Sequence, residues 1–147
     1  MLEEAFVFYR AKRYDLKSKE ELIVNDKFFI ADSGLRNAVL GFRDLEMGRF
    51  MENVVYLELR RRGYSVFVGK INALEIDFVA INTKSTAYYQ VSYSIEDPET
   101  KKRVLEPLKK LRDGHRKTVI TMVPSLNVDH DGIREVGLRE FLMDDSL

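Results

Sequence analysis

Residues 46–95 constrain the fold of this chain more than any other stretch, because they contain one complete amphipathic helix followed by three strand patterns. Between Gly48 and Gly63 apolar residues recur at helical spacing, and glycine is the residue that most readily ends a helix. A short β-rich run at residues 64–68 follows, and Gly69 closes it. The stretch therefore begins with a helix that packs through one face and continues into a first strand.

The rest of this stretch predicts a β-hairpin of two alternating strands. Residues 74–81 place apolar side chains on one face and the carboxylates of Glu75 and Asp77 on the other, and residues 82–85 turn the chain. Residues 86–95 alternate again. The predicted faces are Leu74, Ile76 and Phe78 opposite the two acids, and Gln90 and Ser92 opposite Tyr89, Val91 and Tyr93. Pairing of the two strands would bring Asp77 close to Gln90 and Ser92.

Length and composition indicate a single globular domain. The chain has 147 residues, of which 45% are hydrophobic and 33% charged, and this is enough to bury a sizeable core. It has no apolar run of membrane-spanning length, no signal-peptide pattern and no cysteine, so we expect a cytoplasmic protein without disulfides, thiolate zinc sites or a cysteine nucleophile. The 24 basic and 24 acidic residues cancel. A nucleic-acid binder of this composition needs a local basic face.

The N-terminal third predicts an appendage to this α/β unit. Residues 2–13 fit either a helix or a strand, and their aromatic side chains favour a strand. A second strand pattern at residues 27–31 would pair with the first, and a short helix is expected at residues 35–40. We place the seam near residues 41–48, which divides the chain into an appendage of residues 1–45 and an α/β core of residues 46–147.

The C-terminal third alternates between helix and strand. A helix should begin at residues 97–99, with Asp97 as its N-cap, and Pro107 should kink or split it. Residues 118–123 predict a buried strand, residues 132–136 a small edge strand, and residues 138–143 a terminal helix. This alternation, with a hairpin at its centre, predicts an α/β domain with a mixed sheet flanked by helices.

Five segments together resemble a known family: KFFIADSGLRNAVLG, ENVVYLELRRRGYSVFVGK, EIDFVA, YYQVSYSI and VITM. They are similar to the C-terminal domain of unknown function that many bacterial and archaeal AAA-type P-loop ATPases carry. The resemblance implies an ATPase module and a winged-helix-like segment upstream, and a core of the PD-(D/E)xK, or restriction-endonuclease-like, fold. It also implies that this chain is a fragment of a larger ATPase, so that the ATPase module is its partner in the parent chain.

The fragment itself contains no nucleotide-binding loop. Residues 63–70 superficially match a P-loop, but five residues separate the two glycines, and Ile71 stands where serine or threonine is needed. Residues 64–68 are better interpreted as a strand. We therefore expect no cofactor in this fragment, with ATP bound only by the upstream module.

The resemblance also assigns candidate catalytic residues. In active nucleases of this superfamily a helix Glu, a strand Asp and a second strand acid bind Mg²⁺, and a lysine two residues later assists the attacking water. Here Glu52 and Asp77 match the first two positions, whereas Gln90 and Ser92 stand where the acid and the lysine belong. Serine is neither cationic nor basic at neutral pH, so it cannot replace that lysine. The candidate site is therefore half complete.

Two interpretations of these residues remain open. As a site, Glu52, Glu75, Asp77 and Gln90 would form a weak Mg²⁺ centre of oxygen ligands. As surface features, Asp77 and Glu75 would lie on a solvated hairpin face, and Glu52 would stabilise the first turn of its helix. A relocated cation would be required for catalysis, and the candidates that the chain order allows are Lys70, Lys101, Lys102 and Arg103.

Basic clusters are the candidate nucleic-acid contacts. Phosphate binding requires several cations on one face, whereas the alternative is a set of solvated helix faces balanced by nearby acids. The clusters are Arg60, Arg61 and Arg62; Lys101, Lys102 and Arg103; Lys109, Lys110 and Arg112; and His115, Arg116 and Lys117. Residues 129–131, Asp-His-Asp, look like a metal trio, but neighbouring loop residues rarely converge on one cation.

Three functions are compatible with these sequence features. The preferred one is a catalytically degenerate nuclease-fold module of a AAA-type ATPase that binds DNA or protein. The second is an active Mg²⁺-dependent DNA endonuclease with a relocated lysine. The third is a structural domain that forms homo-oligomers.

Overall fold

The computed structural model describes residues 7–32, 34, 47–124, 129–144 and 146. These residues form an eight-stranded mixed sheet in the order β2-β1-β3-β4-β5-β6-β8-β7 with three helices, which confirms the predicted mixed sheet flanked by helices. The elements are β1 Phe8–Asp15, β2 Glu20–Ile30, α1 Met47–Arg61, β3 Ser65–Ile71, β4 Leu74–Ile81, β5 Thr86–Ser92, α2 Pro98–Lys109, β6 Arg116–Thr121, β7 Asp129–His130, β8 Ile133–Gly137 and α3 Leu138–Met143.

The predicted central helix is confirmed, and its C-terminal cap shows why it ends where it does. Gly63 has a φ of 82°, the left-handed conformation that glycine adopts without steric cost. Its N–H donates to the Arg60 carbonyl at 2.9 Å, and the Tyr64 N–H donates to the Leu59 carbonyl at 3.1 Å. This pair of bonds is a Schellman motif. The chain is thereby directed from α1 straight into β3.

The N-terminal hairpin belongs to the same sheet as the α/β core. Strands β1 and β2 pair antiparallel, as predicted, and Arg13–Asp15 of β1 pair in parallel with Val68–Lys70 of β3. The hairpin is therefore continuous with the sheet through β3. The short helix predicted at residues 35–40 lies outside the described residues, as does most of the predicted seam at residues 41–48.

Two apolar cores lie on opposite faces of the sheet. One contains buried side chains of α1 and α3, such as Tyr56 and Phe141, packed on Phe78 and Tyr89. The other is built around Leu108 of α2 and strand residues of the opposite face. Helices thus cover both faces, and each strand residue can be assigned to the α1 side or the α2 side from the core it joins.

A β-bulge in β4 breaks the predicted alternation. Phe67 pairs with Val79 and Gly69 pairs with Ile76, so β4 has one residue more than β3 between these two pairs. Phe78 consequently joins the core on the α1 side, whereas Ile76 and Val79 join the core on the α2 side. The prediction that Phe78 shares a face with Ile76 was wrong. A single extra residue in a strand moves the side chains that follow it to the opposite face of the sheet.

Gly69 also continues β3 instead of closing it, and it lies beside the bulge because no side chain fits there. A Cβ at this position would stand 2.7 Å from Val79 Cγ2 and 3.0 Å from the Ile76 Cβ. We expect Gly69→Ala to lower the free energy of unfolding by about 1–3 kcal/mol, the usual cost of overpacking. Urea denaturation measures this, with Gly114→Ala as the control because a Cβ at Gly114 meets nothing within 4 Å. Equal stability of the two variants would contradict this account of the bulge.

The C-terminal elements follow the predictions with two exceptions. Asp97 caps α2 by accepting from the Thr100 N–H at 2.7 Å, but Pro107 does not split the helix, which continues to Lys109. Strand β8 is not an edge strand, because it pairs with β6 on one side and with β7 on the other. None of the helices in the described part of the chain is long and apolar enough to span a membrane.

Candidate functional site

The candidate site lies where β4 and β5 separate. Their ladder ends at the pair Phe78 and Tyr89, although both strands continue beyond it. Past this point side chains replace the backbone ladder: Asp77 Oδ2 accepts from the Val91 N–H at 2.8 Å, and Gln90 Oε1 accepts from the Asp77 N–H at 2.8 Å. The two residues that the resemblance assigns to a catalytic site are thus linked to each other across the opening between the strands.

Gln90 faces away from the carboxylates. Its side chain lies on the α2 side, with Nε2 3.4 Å from the Val104 carbonyl and 3.5 Å from the Glu75 carbonyl. Only 7% of the residue is exposed. Since its oxygen accepts from the Asp77 N–H and its nitrogen faces these carbonyls, the amide holds the strands together and has no oxygen left that points towards a cation.

Three carboxylates gather on the α1 side, and a lysine of β2 lies among them. Lys27 Nζ is 2.5 Å from Glu52 Oε2 on α1 and 4.0 Å from Glu75 Oε1 on β4. Asp77 belongs to the same cluster, because the charges of Glu52, Glu75 and Lys27 all act on its carboxyl. We call Lys27, Glu52, Glu75 and Asp77 the carboxylate cluster. Its acids were predicted from the sequence, whereas its cation was missed.

A second cation of the N-terminal hairpin reaches the cluster. Arg13 on β1 places Nη1 2.5 Å from Glu75 Oε2, and its Nε donates to the Asn25 carbonyl at 2.9 Å. Asn25 has a φ of 40° within the irregular part of β2, where the chain departs from regular pairing with β1. The hairpin thus brings two positive charges to acids that lie later in the chain, on α1 and β4.

The electrostatic consequence falls on Asp77. Desolvation of its carboxyl, with the negative charge of Glu52 as the next largest cause, raises the pKa of Asp77 to about 7. The Val91 N–H and the Lys27 ammonium act in the opposite direction, and do not cancel the first two effects. A carboxyl that titrates near neutral pH is a common signature of a functional site or of one descended from it.

Of the other predicted catalytic positions, Ser92 and residues 101–103 lie apart from this cluster, whereas Lys70 neighbours one of its members. The Ser92 hydroxyl donates to the Ser94 carbonyl at 2.9 Å. Lys70 stands opposite Glu75 in the β3–β4 register, although Glu75 has its ion pairs with the hairpin cations. Residues 101–103 belong to α2, the helix on the other side of the sheet. The lysine that does pair with Glu52 is Lys27, which was not among the candidates predicted from the sequence.

The donor set does not fit a Mg²⁺ centre. Mg²⁺ requires near-octahedral oxygen ligands. Here Glu52 and Glu75 are paired with hairpin cations, one oxygen of Asp77 accepts a backbone N–H, and the Gln90 oxygen is already an acceptor. Within residues 7–32, 47–124 and 129–144, no three histidine, cysteine or acidic side chains form a group that could hold a metal ion. The positive charge at this place is supplied by Lys27.

The arginine cluster at the end of α1 is largely engaged within the protein. Arg62 has a side chain only 5% exposed, donates to Glu58, and lies over the Phe141 ring at 4.3 Å. Arg61 pairs with the same Glu58 at 2.8 Å, and Arg60 lies over the Tyr9 ring. Arg62 therefore fixes α3 against α1 and cannot reach a phosphate. By contrast, Lys102 and Arg103 are exposed on α2, and Lys101 is partly buried.

The Asp-His-Asp trio also separates in the structure. His130 is 6% exposed, and its Nε2 lies 3.0 Å from Glu135 Oε2, while Thr121 donates to Glu135 Oε1 at 3.0 Å. Asp131 instead pairs with Lys109 at 2.6 Å, and Asp129 accepts from a backbone N–H. His130 is thus part of a buried polar link between strands, and the three residues do not converge.

The sequence is similar to parts of two longer proteins. It is 38% identical over 143 residues to an uncharacterized protein of Haemophilus influenzae, a match that covers 97% of this chain and 35% of that protein. It is 28% identical over 114 residues to an uncharacterized protein of Methanocaldococcus jannaschii, covering 75% of this chain and 25% of that protein. No family model and no solved structure matches. The chain thus spans about a third and a quarter of the lengths of these relatives.

Proposed function

We propose that this chain is a nuclease-fold module that has lost its metal centre and serves as a binding or assembly domain of a larger P-loop ATPase. Three features support the nuclease fold: a helix carrying Glu52, a strand carrying Asp77, and a hairpin partner carrying Gln90 and Ser92. Similarity to about a third of a longer protein supports a role within a larger chain. The ATPase module remains an inference from the sequence resemblance.

The observation that best supports the proposed loss of activity is that the Lys27 ammonium pairs with Glu52 and lies 4.0 Å from Glu75. While Lys27 contacts Glu52 directly, that carboxylate is not open to a divalent cation, and the ammonium would repel a cation bound at Glu75. The 2.5 Å contact between Lys27 and Glu52 is formed within the chain and needs no ligand. Under this proposal the acids form a charge-balanced contact between the hairpin and the core.

An active nuclease is the competing function, and the position of Lys27 beside the acids is the observation that favours it. Lys27 would then be the relocated lysine, acting on a water beside Asp77. The two proposals differ in what Lys27 does: in the first it replaces the metal, and in the second it assists catalysis. They make opposite predictions for cleavage.

We expect no metal-dependent cleavage of DNA by the wild-type chain. The experiment incubates supercoiled and single-stranded DNA with Mg²⁺ or Mn²⁺ and compares wild type, Asp77→Ala and Lys27→Ala on gels. Under the proposed function all three give the background seen with EDTA. Cleavage by wild type that disappears in both variants would contradict the proposal and establish the competing nuclease, whereas cleavage that persists in Asp77→Ala would indicate a contaminating enzyme.

A further inference from the structure

A groove lies on the α2 side of the sheet, at the opposite end of the β4–β5 hairpin from the carboxylate cluster. Its walls come from the β1–β2 turn, the end of α2 with the segment that follows it, and the ends of β3, β4 and β5, and it encloses about 360 Å³. The lining residues are Tyr14, Leu16, Lys19, Ile71, Val79, Ile81, Thr86, Tyr88, Lys110, Leu111, Arg112, Asp113 and His115. We call this the α2 groove.

The floor of the α2 groove is apolar and one wall is aromatic. Leu16, Ile71 and Ile81 belong to the core on this side of the sheet, or pack against it. The Tyr88 hydroxyl donates to Asp113 Oδ2 at 2.8 Å, and the exposed His115 ring meets the Tyr88 ring edge-on at 5.9 Å between centroids. A flat apolar group could lie on this floor beside an imidazole that is accessible from solvent.

The rim of the α2 groove is positively charged. Lys19 and Arg112 are exposed, and neither has an ion-pair partner among the described residues. Lys110 is also exposed, with Glu106 3.0 Å away. The one acid of the lining, Asp113, accepts from the Tyr88 hydroxyl and lies 3.8 Å from the Lys117 ammonium, which balances its charge. The rim therefore offers two cations, Lys19 and Arg112, that no described acid neutralises.

A second cavity extends the α2 groove. It encloses about 450 Å³ around the turn at residues 113–115 and shares Leu111, Asp113 and His115 with the first. Lys109 and Lys117 line it, and both pair with acids of the same cavity: Lys109 with Asp131 at 2.6 Å and Lys117 with Asp113 at 3.8 Å. The two cavities form a path longer than a single small molecule needs, and Lys19 and Arg112, which have no ion pair among the described residues, lie at its first part.

We propose that the α2 groove binds single-stranded nucleic acid. Its apolar floor and imidazole suit unstacked bases, and its rim cations suit phosphates that follow one another along a strand. A duplex keeps its bases stacked inside, so only its phosphates could contact the rim cations and the apolar floor would stay empty. The proposal rests on the proposed function in one respect: it names the partner class of a module that binds without cutting.

The test is fluorescence anisotropy with labelled oligothymidine, in EDTA so that no cleavage occurs, across a salt series. Lys19→Gln/Arg112→Gln removes two rim charges from exposed positions, and Arg49→Gln/Arg139→Gln removes two exposed charges from α1 and α3, on the opposite face of the sheet, as the matched control. We expect the first variant to bind about tenfold more weakly and to lose about 1.4 from the slope of log affinity against log salt, at about 0.7 per single-strand phosphate. The control should stay within about twofold of wild type, and unlabelled duplex should compete poorly.

Any of three results would overturn the proposed binding at the groove. These are wild type that does not bind oligothymidine, a rim variant that binds it as tightly as wild type, and a control variant that loses as much affinity as the rim variant. Equal competition by duplex or heparin would also overturn it, because it would indicate general polyanion binding. None of these outcomes bears on catalysis. The proposed loss of the metal centre is tested by cleavage and by metal binding, both independent of this assay, so the two proposals can fail separately.

Discussion

Asp77→Asn should raise the free energy of unfolding at about pH 8 by up to about 4 kcal/mol. Burial and Glu52 raise the pKa of Asp77 to about 7, from an ordinary value of 3.8. A shift of about three units corresponds to about 4 kcal/mol, and this is the cost of keeping the carboxylate ionised in the folded state. Asparagine removes the charge, and its amide oxygen can still accept from the Val91 N–H.

The gain should depend on pH in a defined direction. The folded state binds the Asp77 proton more tightly than the unfolded state. The free energy of unfolding of wild type therefore falls as pH rises from about 4 to about 7, and the loss stays constant above that pH. The difference between Asp77→Asn and wild type should therefore grow over the same window and be small at about pH 4. Denaturant unfolding at several pH values measures it, with Glu20→Gln as a control for removal of an exposed acid. A gain that is the same at every pH would contradict the assigned cause.

Lys27→Met should lower the free energy of unfolding by about 2–3 kcal/mol at about pH 8. Methionine keeps the apolar stem and removes the ammonium, which leaves Glu52, Glu75 and Asp77 facing one another. The Lys27 side chain is 30% exposed and that of Glu52 21%, so the loss falls between that of a surface pair, below about 1 kcal/mol, and that of a buried pair, about 3–5 kcal/mol. Thermal or urea unfolding measures the change.

The hairpin offers a matched control for this variant. Lys12 pairs with Glu21 at 2.7 Å, but both side chains are about half exposed. Lys12→Met should therefore cost less than about 1 kcal/mol. The double variant Lys27→Met/Asp77→Asn should recover part of the loss, because it removes one of the repelling acids. Equal effects of Lys12→Met and Lys27→Met, or strict additivity in the double variant, would show that Lys27 does not balance this cluster.

Much of the fold followed from local patterns. The helix that ends at Gly63, the strands on either side of residues 82–85 and the helix capped by Asp97 are each determined by residues close in sequence, and all were predicted. The bulge at Asp77 and Phe78 was not, because it depends on the register between β3 and β4 and leaves no mark in the alternation. A side chain at Gly69 would clash with Val79 and Ile76, and only the paired strands show this.

The sequence predicted the acids of the candidate site, but it did not predict its cation. Glu52, Glu75 and Asp77 were proposed from the helix and hairpin that carry them, and the structure brings them together. Lys27 reaches Glu52 from a separate hairpin, 25 residues away in sequence. Its strand was predicted, but no local pattern states where a hairpin docks. The amide of Gln90 was likewise expected among the acids, whereas splaying of β4 and β5 turns it towards Val104.

The most direct test of the central claim is a calorimetric titration of the wild-type chain with Mn²⁺ at about pH 7.5, repeated on Asp77→Asn. If Lys27 supplies the positive charge of the cluster, wild type should show no saturable site below millimolar Mn²⁺, and the two titrations should coincide. A one-to-one site of micromolar affinity that disappears in Asp77→Asn would contradict the account. It would show that the acids form a working metal centre and that the lysine gives way to the ion.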